Sequence, residues 1–325
     1  MAQPELTTLF TPVAGGLERV EAGLWEALRG EDAEVMAPVT HLLGAGGKRI
    51  RPALVLLGAW VGDGGGGAAI DVAIAAELIH MATLVHDDVI DASPVRRGVT
   101  TVHTAWSERV AILAGDALFA RAFTLLAATG VPALVEAMAR AVFGTCQGEI
   151  RQNLDMRTAT VPSEDGYFRR IGQKTALLIA ESVRAGGIAG HVASARLDDL
   201  YNFGYHAGLA YQVVDDLLDV QSSAPALGKE AGADLREGVV TLPVIRALAS
   251  LAPDSPDRFY LLRAAHGRGE AERVREICEA TGALASVAAT AEALLAEARH
   301  DAITLGDAAH EQFEQLAAFL ARRTA

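Results

Sequence analysis

Apolar positions recur at helical rather than strand spacing along nearly the whole chain. Leu17, Val20, Leu24 and Leu28 open the pattern, which breaks near Gly30 and resumes toward Leu43, so two helices are expected there. Further helices are expected over Ala53 to Val61, over a stretch from Leu78 that Ser93 and Pro94 terminate, and from His103–Trp106 through Leu126. Another runs from Pro132, a proline in its permitted first turn, to about Asn153; Ser163 is a fitting N-cap for the next. The spacing then predicts a long helix over Ser194 to Gln221, a helix start at Pro243, and an alanine- and leucine-rich helical tail from Ile245 to Ala325. Breaks in that tail fall near Pro253, Pro256, Gly267 and Gly282. Alternating β-branched runs are nearly absent apart from Val99 to Val102. The pattern predicts an all-α fold. No repeat of about 20 to 50 residues recurs, so it is not a solenoid.

Certain polar positions break this pattern in a repeated way. Asp87 and Asp91 are four residues apart on a helix and share a face, with Asp88 beside them. Three such carboxylates repel unless they meet a hard cation, and magnesium in these settings keeps waters and bridges to phosphate. Arg96 and Arg97 follow, with forked donors suited to phosphate oxygens. One such motif reads equally as a solvated acidic helix end. A second copy, Asp215, Asp216 and Asp219, stands in a helix whose Leu209, Val213, Leu217 and Val220 keep apolar spacing. Burying several carboxylates without partners is expensive, so two facing acidic segments that share magnesium ions account for the pattern better.

Other signals are weaker. GAGGKRIRP, Gly44 to Pro52, puts Lys48 and Arg51 at a helix entrance, which suits either a turn with solvated charges or a diphosphate site. It lacks the spacing of a Walker loop. His80 lies two turns before Asp87 and is either a hydrogen-bonded core residue or a phosphate contact. Gln147 and Glu149 read as packing or supporting groups, and GDGGGG at Gly62 as a surface connection. Lys174 and Thr175 are ordinary unless a magnesium-diphosphate stands beside them, when they become a donor pair. The glycine-rich charged loop over 228–243 is placed to cover such a site.

Composition narrows the classes. Of 325 residues 51% are hydrophobic, ample for a core, and a formal charge of -13 argues against nucleic acid or an anionic membrane as partner. Cys146 and Cys278 are the only cysteines and lack CxxC spacing, so neither a disulfide framework nor a zinc site is indicated, and a reducing cytoplasm fits. The amino terminus lacks a basic region followed by an apolar run, and no uncharged stretch approaches the roughly 20 residues of a membrane span. A soluble protein without a transmembrane segment is expected.

With these residues in place, the chain resembles an all-trans polyprenyl diphosphate synthase, from GGKRIRP at Gly46 through TLP at Thr241. The resemblance implies one helical-bundle domain over 1–325 around a central cavity. It implies that Asp87, Asp88, Asp91, Asp215, Asp216 and Asp219 surround several magnesium ions, directly or through water. By the same resemblance Arg96, Lys174, Thr175, Gln212 and Lys229 hold an allylic diphosphate, and Lys48, Arg51, His80 and Arg97 hold isopentenyl diphosphate. The catalytic set is then Asp87, Asp88, Asp91, Lys174, Asp215 and Asp216, with the released diphosphate as proton acceptor. Family members commonly read EGKxTLP in the later loop, and here Val239 stands where that lysine would be. The family is typically dimeric, and some long-chain members require a dissimilar small subunit. A class I terpene cyclase is the nearest competing enzyme, but its second motif mixes Asn, Ser or Thr with Glu; a non-catalytic prenyl-diphosphate-binding subunit is the competitor from another class.

Product length is argued from the residues before Asp87. Short-chain members carry bulky aromatics four or five positions upstream, where this chain has Thr83 and Ala82. At ~1.5 Å rise per residue Ala82 lies about 7.5 Å deeper along the helix than Asp87. That Ala82 lines the elongation tunnel follows from the resemblance, not from helical spacing. Met81 is flexible enough to narrow the passage. A long-chain product, a quinone side-chain precursor, is expected, with geranylgeranyl or farnesyl diphosphate as the alternative.

Overall fold

Asp32, Ser107 and Ser163 each begin a helix by accepting backbone N–H groups that have no partner within it. Asp32 accepts from Glu34 and Val35 at 2.9 and 3.3 Å, Ser107 from Val110 at 3.3 Å, and Ser163 from Gly166 at 3.1 Å. The computed structural model describes residues 9–30, 32–158, 160–221 and 232–321. In chain order its main helices are α1 (Ala14–Ala27), α2 (Ala33–Gly44), α3 (Ile50–Trp60), α4 (Gly66–Ile90), α5 (Glu108–Ala128) and α6 (Pro132–Thr158). Next come α7 (Glu164–Ile171), a π-helical turn Gly172–Ala176, α8 (Leu177–Ala189), α9 (Ser194–Gln221) and the short α10 (Ala233–Glu237). The tail holds α11 (Leu242–Ser250), α12 (Pro256–Arg263), α13 (Ala271–Ala280), α14 (Ala283–Ala302) and α15 (Asp307–Ala321).

The all-α expectation holds, with local differences. Helix α4 begins well before Leu78 and ends at Ile90, so Asp91 is its C-cap rather than a helical residue. The β-branched residues around Val99 form one strand of a hairpin, Val95–Arg96 paired antiparallel with Val99–Thr100. Arg97 and Gly98 turn it with φ of 53° and 79°, the left-handed pair that tight hairpins require.

The chain divides into two compact units, one taking the described residues through Val142 plus Glu181–Tyr201, the other Phe143–Ala180 plus Asn202 onward. In the first, α4 packs closely on α5: a Cβ at Gly115 would stand 2.1 Å from His86 Nε2, so no other residue fits without a shift. Segment 181–189 meets α3 backbone to backbone, a Cβ at Gly186 falling 1.9 Å from Val55 O. In the second unit Tyr167, Val213, Leu217, Leu242, Val244, Ile277 and Val287 belong to one buried cluster. Phe203 and Phe313 stack edge-on there at 4.6 Å.

Allowing for charged positions, α4 and α5 are long and apolar enough to cross a bilayer, each with mean hydropathy 1.7, although Asp71 and Glu77 in α4 and Asp116 and Arg121 in α5 keep either from being an uncharged run. The most apolar window of α4 is 72% buried inside the protein.

Candidate active site

In the first unit, the end of α4 and the hairpin form a clamp. Asp91 N–H donates to Asp87 O at 2.8 Å, ending the helix, and Ala92 takes a left-handed φ of 50° that turns the chain back. Arg96 thereby reaches Asp88, its Nε donating to Oδ1 at 2.5 Å. Asp88 is buried, and burial raises its pKa while Arg96 opposes the rise. Thr101 Oγ1 fastens the hairpin by donating to Ser93 O at 2.8 Å.

Beside the clamp lies a cluster of cationic side chains. Arg97 Nη1 donates to Gly46 O, which ties the hairpin to the glycine-rich turn. Arg49 sits in that turn with φ 49°, held by Glu21 at 2.7 Å and by the buried Glu77 at 3.0 Å. Arg49 escaped the sequence reading because neither glutamate lies near it in the chain. Lys48 is exposed on the same turn. His80 is held well below the usual histidine range, first by burial and then by the charges of Arg51, Arg97, Arg96 and Arg49. Both effects favour the neutral imidazole. The structure thus brings Arg51, His80 and Arg97, expected to share one anion, into one electrostatic neighbourhood. Ala82 is fully buried, Met81 nearly so, and Thr83 is half-buried with its hydroxyl donating to His80 O at 2.8 Å.

The second unit presents the other half of the predicted set. The π turn that carries Lys174 and Thr175 is a departure from regular helix of the kind found at functional sites. Glycines let neighbours approach it: a Cβ at Gly148 on α6 would fall 2.7 Å from Lys174 N, and one at Gly208 on α9 would fall 2.6 Å from Ala176 Cα. Lys174 Nζ lies 2.5 Å from Glu149, which gives that glutamate a role as the lysine's partner. Thr175 Oγ1 donates to Gln212 Oε1 at 2.9 Å, and Gln212 Nε2 donates to Asp216 Oδ1 at 2.7 Å. Gln147 stands near Gln173, in a groove of about 520 Å³ that Arg151 and Arg169 also line.

Of the second acidic motif, Asp215 is exposed, Asp216 is buried and Asp219 is half-buried. Asp219 accepts from the N–H groups of Ala233 at 3.0 Å and Asp234 at 3.3 Å, and so anchors α10. Asp216 is raised to about 6, mainly by burial and against the hydrogen bonds from Gln212 and Tyr167. Asp234 is raised to about 8 by burial and by the charges of Asp216, Asp219 and Asp215. Sequence reasoning missed Asp234 because it lies beyond the DDxxD spacing, in a stretch read as a loop where the structure has the short helix α10. Val239 is buried, its N–H donating to Asp234 O at 2.8 Å, and it lines a small pocket with Asp219 and Asp234. An apolar side chain therefore occupies the place where the family's lysine would offset these carboxylates. Lys229 lies outside the described residues.

Among the described residues no three carboxylate, imidazole or thiol groups converge as a metal cage. The donor chemistry nevertheless fits magnesium, which takes oxygen ligands and completes its octahedron with water and phosphate. Two buried carboxylates, raised first by burial and further by neighbouring carboxylates, mark negative charge that a cation relieves.

Comparison with known proteins agrees with this chemistry. The polyprenyl synthetase family matches residues 32–284. A heptaprenyl diphosphate synthase component 2 from Geobacillus stearothermophilus is 39% identical over 299 residues, covering 92% of this chain and 87% of that protein. The crystal structure of a decaprenyl diphosphate synthase from Rhodobacter capsulatus superposes with a TM-score of 0.92 at 33% identity, covering 98% and 99% of the two chains. A polyprenyl synthase from Caulobacter crescentus CB15, complexed with calcium and isoprenyl diphosphate, superposes with a TM-score of 0.89 at 33% identity over 98% of each chain. The chain belongs to the polyprenyl synthetase family and is a prenyltransferase.

Proposed function

We propose that the protein condenses an allylic prenyl diphosphate with isopentenyl diphosphate, releasing diphosphate, and repeats the step to build a long-chain all-trans polyprenyl diphosphate. The observation that carries this reading lies on α4, its hairpin and the glycine-rich turn before α3. A cluster of arginines around His80 suits one diphosphate held without metal, and the carboxylates that end the same helix suit another held through cations. Two anions handled in two ways is the requirement of a two-substrate condensation. The names of the heptaprenyl and decaprenyl relatives support a long product, as do the small residues Ala82 and Thr83.

In this reading Asp87, Asp88, Asp91, Asp215, Asp216 and Asp219 hold several magnesium ions, which when bound neutralise the departing diphosphate. Arg96, Lys174, Thr175, Gln212 and Lys229 orient the allylic diphosphate, and Lys48, Arg51, His80 and Arg97 orient isopentenyl diphosphate. The allylic carbon–oxygen bond breaks, the double bond of isopentenyl diphosphate attacks the resulting cation, and the proton then lost goes to the released diphosphate. Proximity of the two held substrates supplies much of the rate, so no side chain need act as nucleophile. Incubation with farnesyl diphosphate, labelled isopentenyl diphosphate and magnesium should give products longer than geranylgeranyl diphosphate on chromatography. Arrest at farnesyl or geranylgeranyl diphosphate would make it a short-chain enzyme, and no condensation would make it a binding subunit.

A homodimer completes the proposal. The exposed apolar side chains Phe143, Ile150 and Leu154 on α6 suit a second copy. Light scattering of the pure protein should give twice the chain mass; a monomer, or activity only after a dissimilar subunit is added, would replace it. We assign the reaction to the cytoplasm on cysteine usage, and its product to quinone side chains.

A further inference from the structure

Asp216 is held in an unusual way for a buried carboxylate. It is 3% exposed, and both of its oxygens accept hydrogen bonds from neutral donors: Oδ1 from Gln212 Nε2 and Oδ2 from Tyr167 OH, each at 2.7 Å. A buried carboxylate kept for stability is ordinarily matched by a cation. Arg170, whose charge acts on Asp216, instead donates to Val240 O at 2.7 Å and lies 5.7 Å from the centre of the Tyr167 ring. Tyr167 is itself fully buried, packed edge-on against Phe168 at 5.3 Å. Its hydroxyl therefore cannot swing away. Neutral donors fix the direction of the Asp216 carboxylate, and Arg170 favours its charge only without a direct hydrogen bond, which leaves the carboxylate suited to receiving a cation.

On the reading given under the proposed function, we infer that Tyr167 is a positioning residue for the allylic magnesium-diphosphate site, acting through Asp216, with Arg170 bracing the tyrosine ring. The chain of hydrogen bonds then runs from Thr175 in the π turn through Gln212 to Asp216 and ends on Tyr167. All four residues of this network belong to the second unit, whereas Arg51, His80 and Arg97 belong to the first.

The test compares wild type with Tyr167→Phe, which removes only the hydroxyl. Calorimetric binding of inorganic diphosphate in the presence of magnesium should weaken about tenfold, the scale of a hydrogen bond to a charged group. The KM for the allylic diphosphate should rise while that for isopentenyl diphosphate stays within about twofold, a smaller change than one such bond produces. In an Asp216→Asn background the same substitution should change little, since the two residues act as a unit. Incorporation of 3-fluorotyrosine at position 167, which keeps the donor and disturbs the fold least, should preserve wild-type binding; if Tyr167→Phe does not fold, a loss of binding in this second variant overturns the inference. Unchanged diphosphate binding in folded Tyr167→Phe, or an equal rise in both KM values, also overturns it and leaves the proposed function standing. A wild-type protein that neither binds magnesium-diphosphate nor condenses the substrates brings down both.

Discussion

Burial among Asp215, Asp216 and Asp219 pushes Asp234 up to about 8, and Asp216 rises to about 6, both from an ordinary 3.8. A carboxyl raised in the folded state keeps a proton that the unfolded chain has released. Its contribution to stability is therefore full below the ordinary carboxylate range and is lost as pH rises through the folded value. His80, shifted down, works in the opposite sense and below about pH 6.5, so the range above about pH 7 reports on Asp234. The melting temperature of the metal-free protein should fall between about pH 7 and 9, and Asp234→Asn should flatten that fall. A wild-type melting temperature that holds or rises over this range would contradict the assignment. Val239 belongs to the same balance. Val239→Lys should place an ammonium beside Asp219 and Asp234 and lower the KM for the allylic diphosphate a few-fold, on the scale of the ~1 kcal/mol of a partly screened ion pair. A raised KM would mean that the lysine obstructs the site instead.

At the scale of elements, α4 joins three features: the buried stretch around Ala82, the arginine cluster around His80, and the acidic end at Asp87 and Asp88. Ala82→Phe should shorten the product, measured by chromatography of the extracted prenyl alcohols, because a ring adds bulk where the growing tail is expected to pass. Unchanged length would put the limit elsewhere. Much of this element was legible from sequence, since apolar spacing and the DDxxD motif are local properties. Its ends were not. The start at Gly66 follows a run of glycines that gave no helix signal, and the exit at Asp91 depends on a hairpin whose strands are two residues each. The π turn at Gly172–Ala176 was equally hidden, because it depends on Gly148 and Gly208 from other helices making room for it. Ser163, by contrast, was legible as a cap because capping acts over three residues.

For the whole molecule, the all-helical class followed from periodicity, and the paired acidic motifs carried the chemistry. What sequence left out were the long-range partners: Glu21 and Glu77 for Arg49, Glu149 for Lys174, Tyr167 for Asp216, and Asp234 within the second acidic group. Each depends on contacts that helical spacing does not encode. The central claim is that carboxylates from both motifs act on a diphosphate through a divalent cation. Its most direct test is the condensation rate of farnesyl diphosphate with labelled isopentenyl diphosphate as magnesium is titrated into the metal-free protein, for wild type, Asp87→Ala and Asp215→Ala. The account predicts no turnover without the cation, and a loss of at least about a thousandfold in each variant at saturating magnesium, the scale of removing electrostatic stabilisation of a leaving group. Full activity in excess chelator, or near-wild-type rates in either variant, would contradict it.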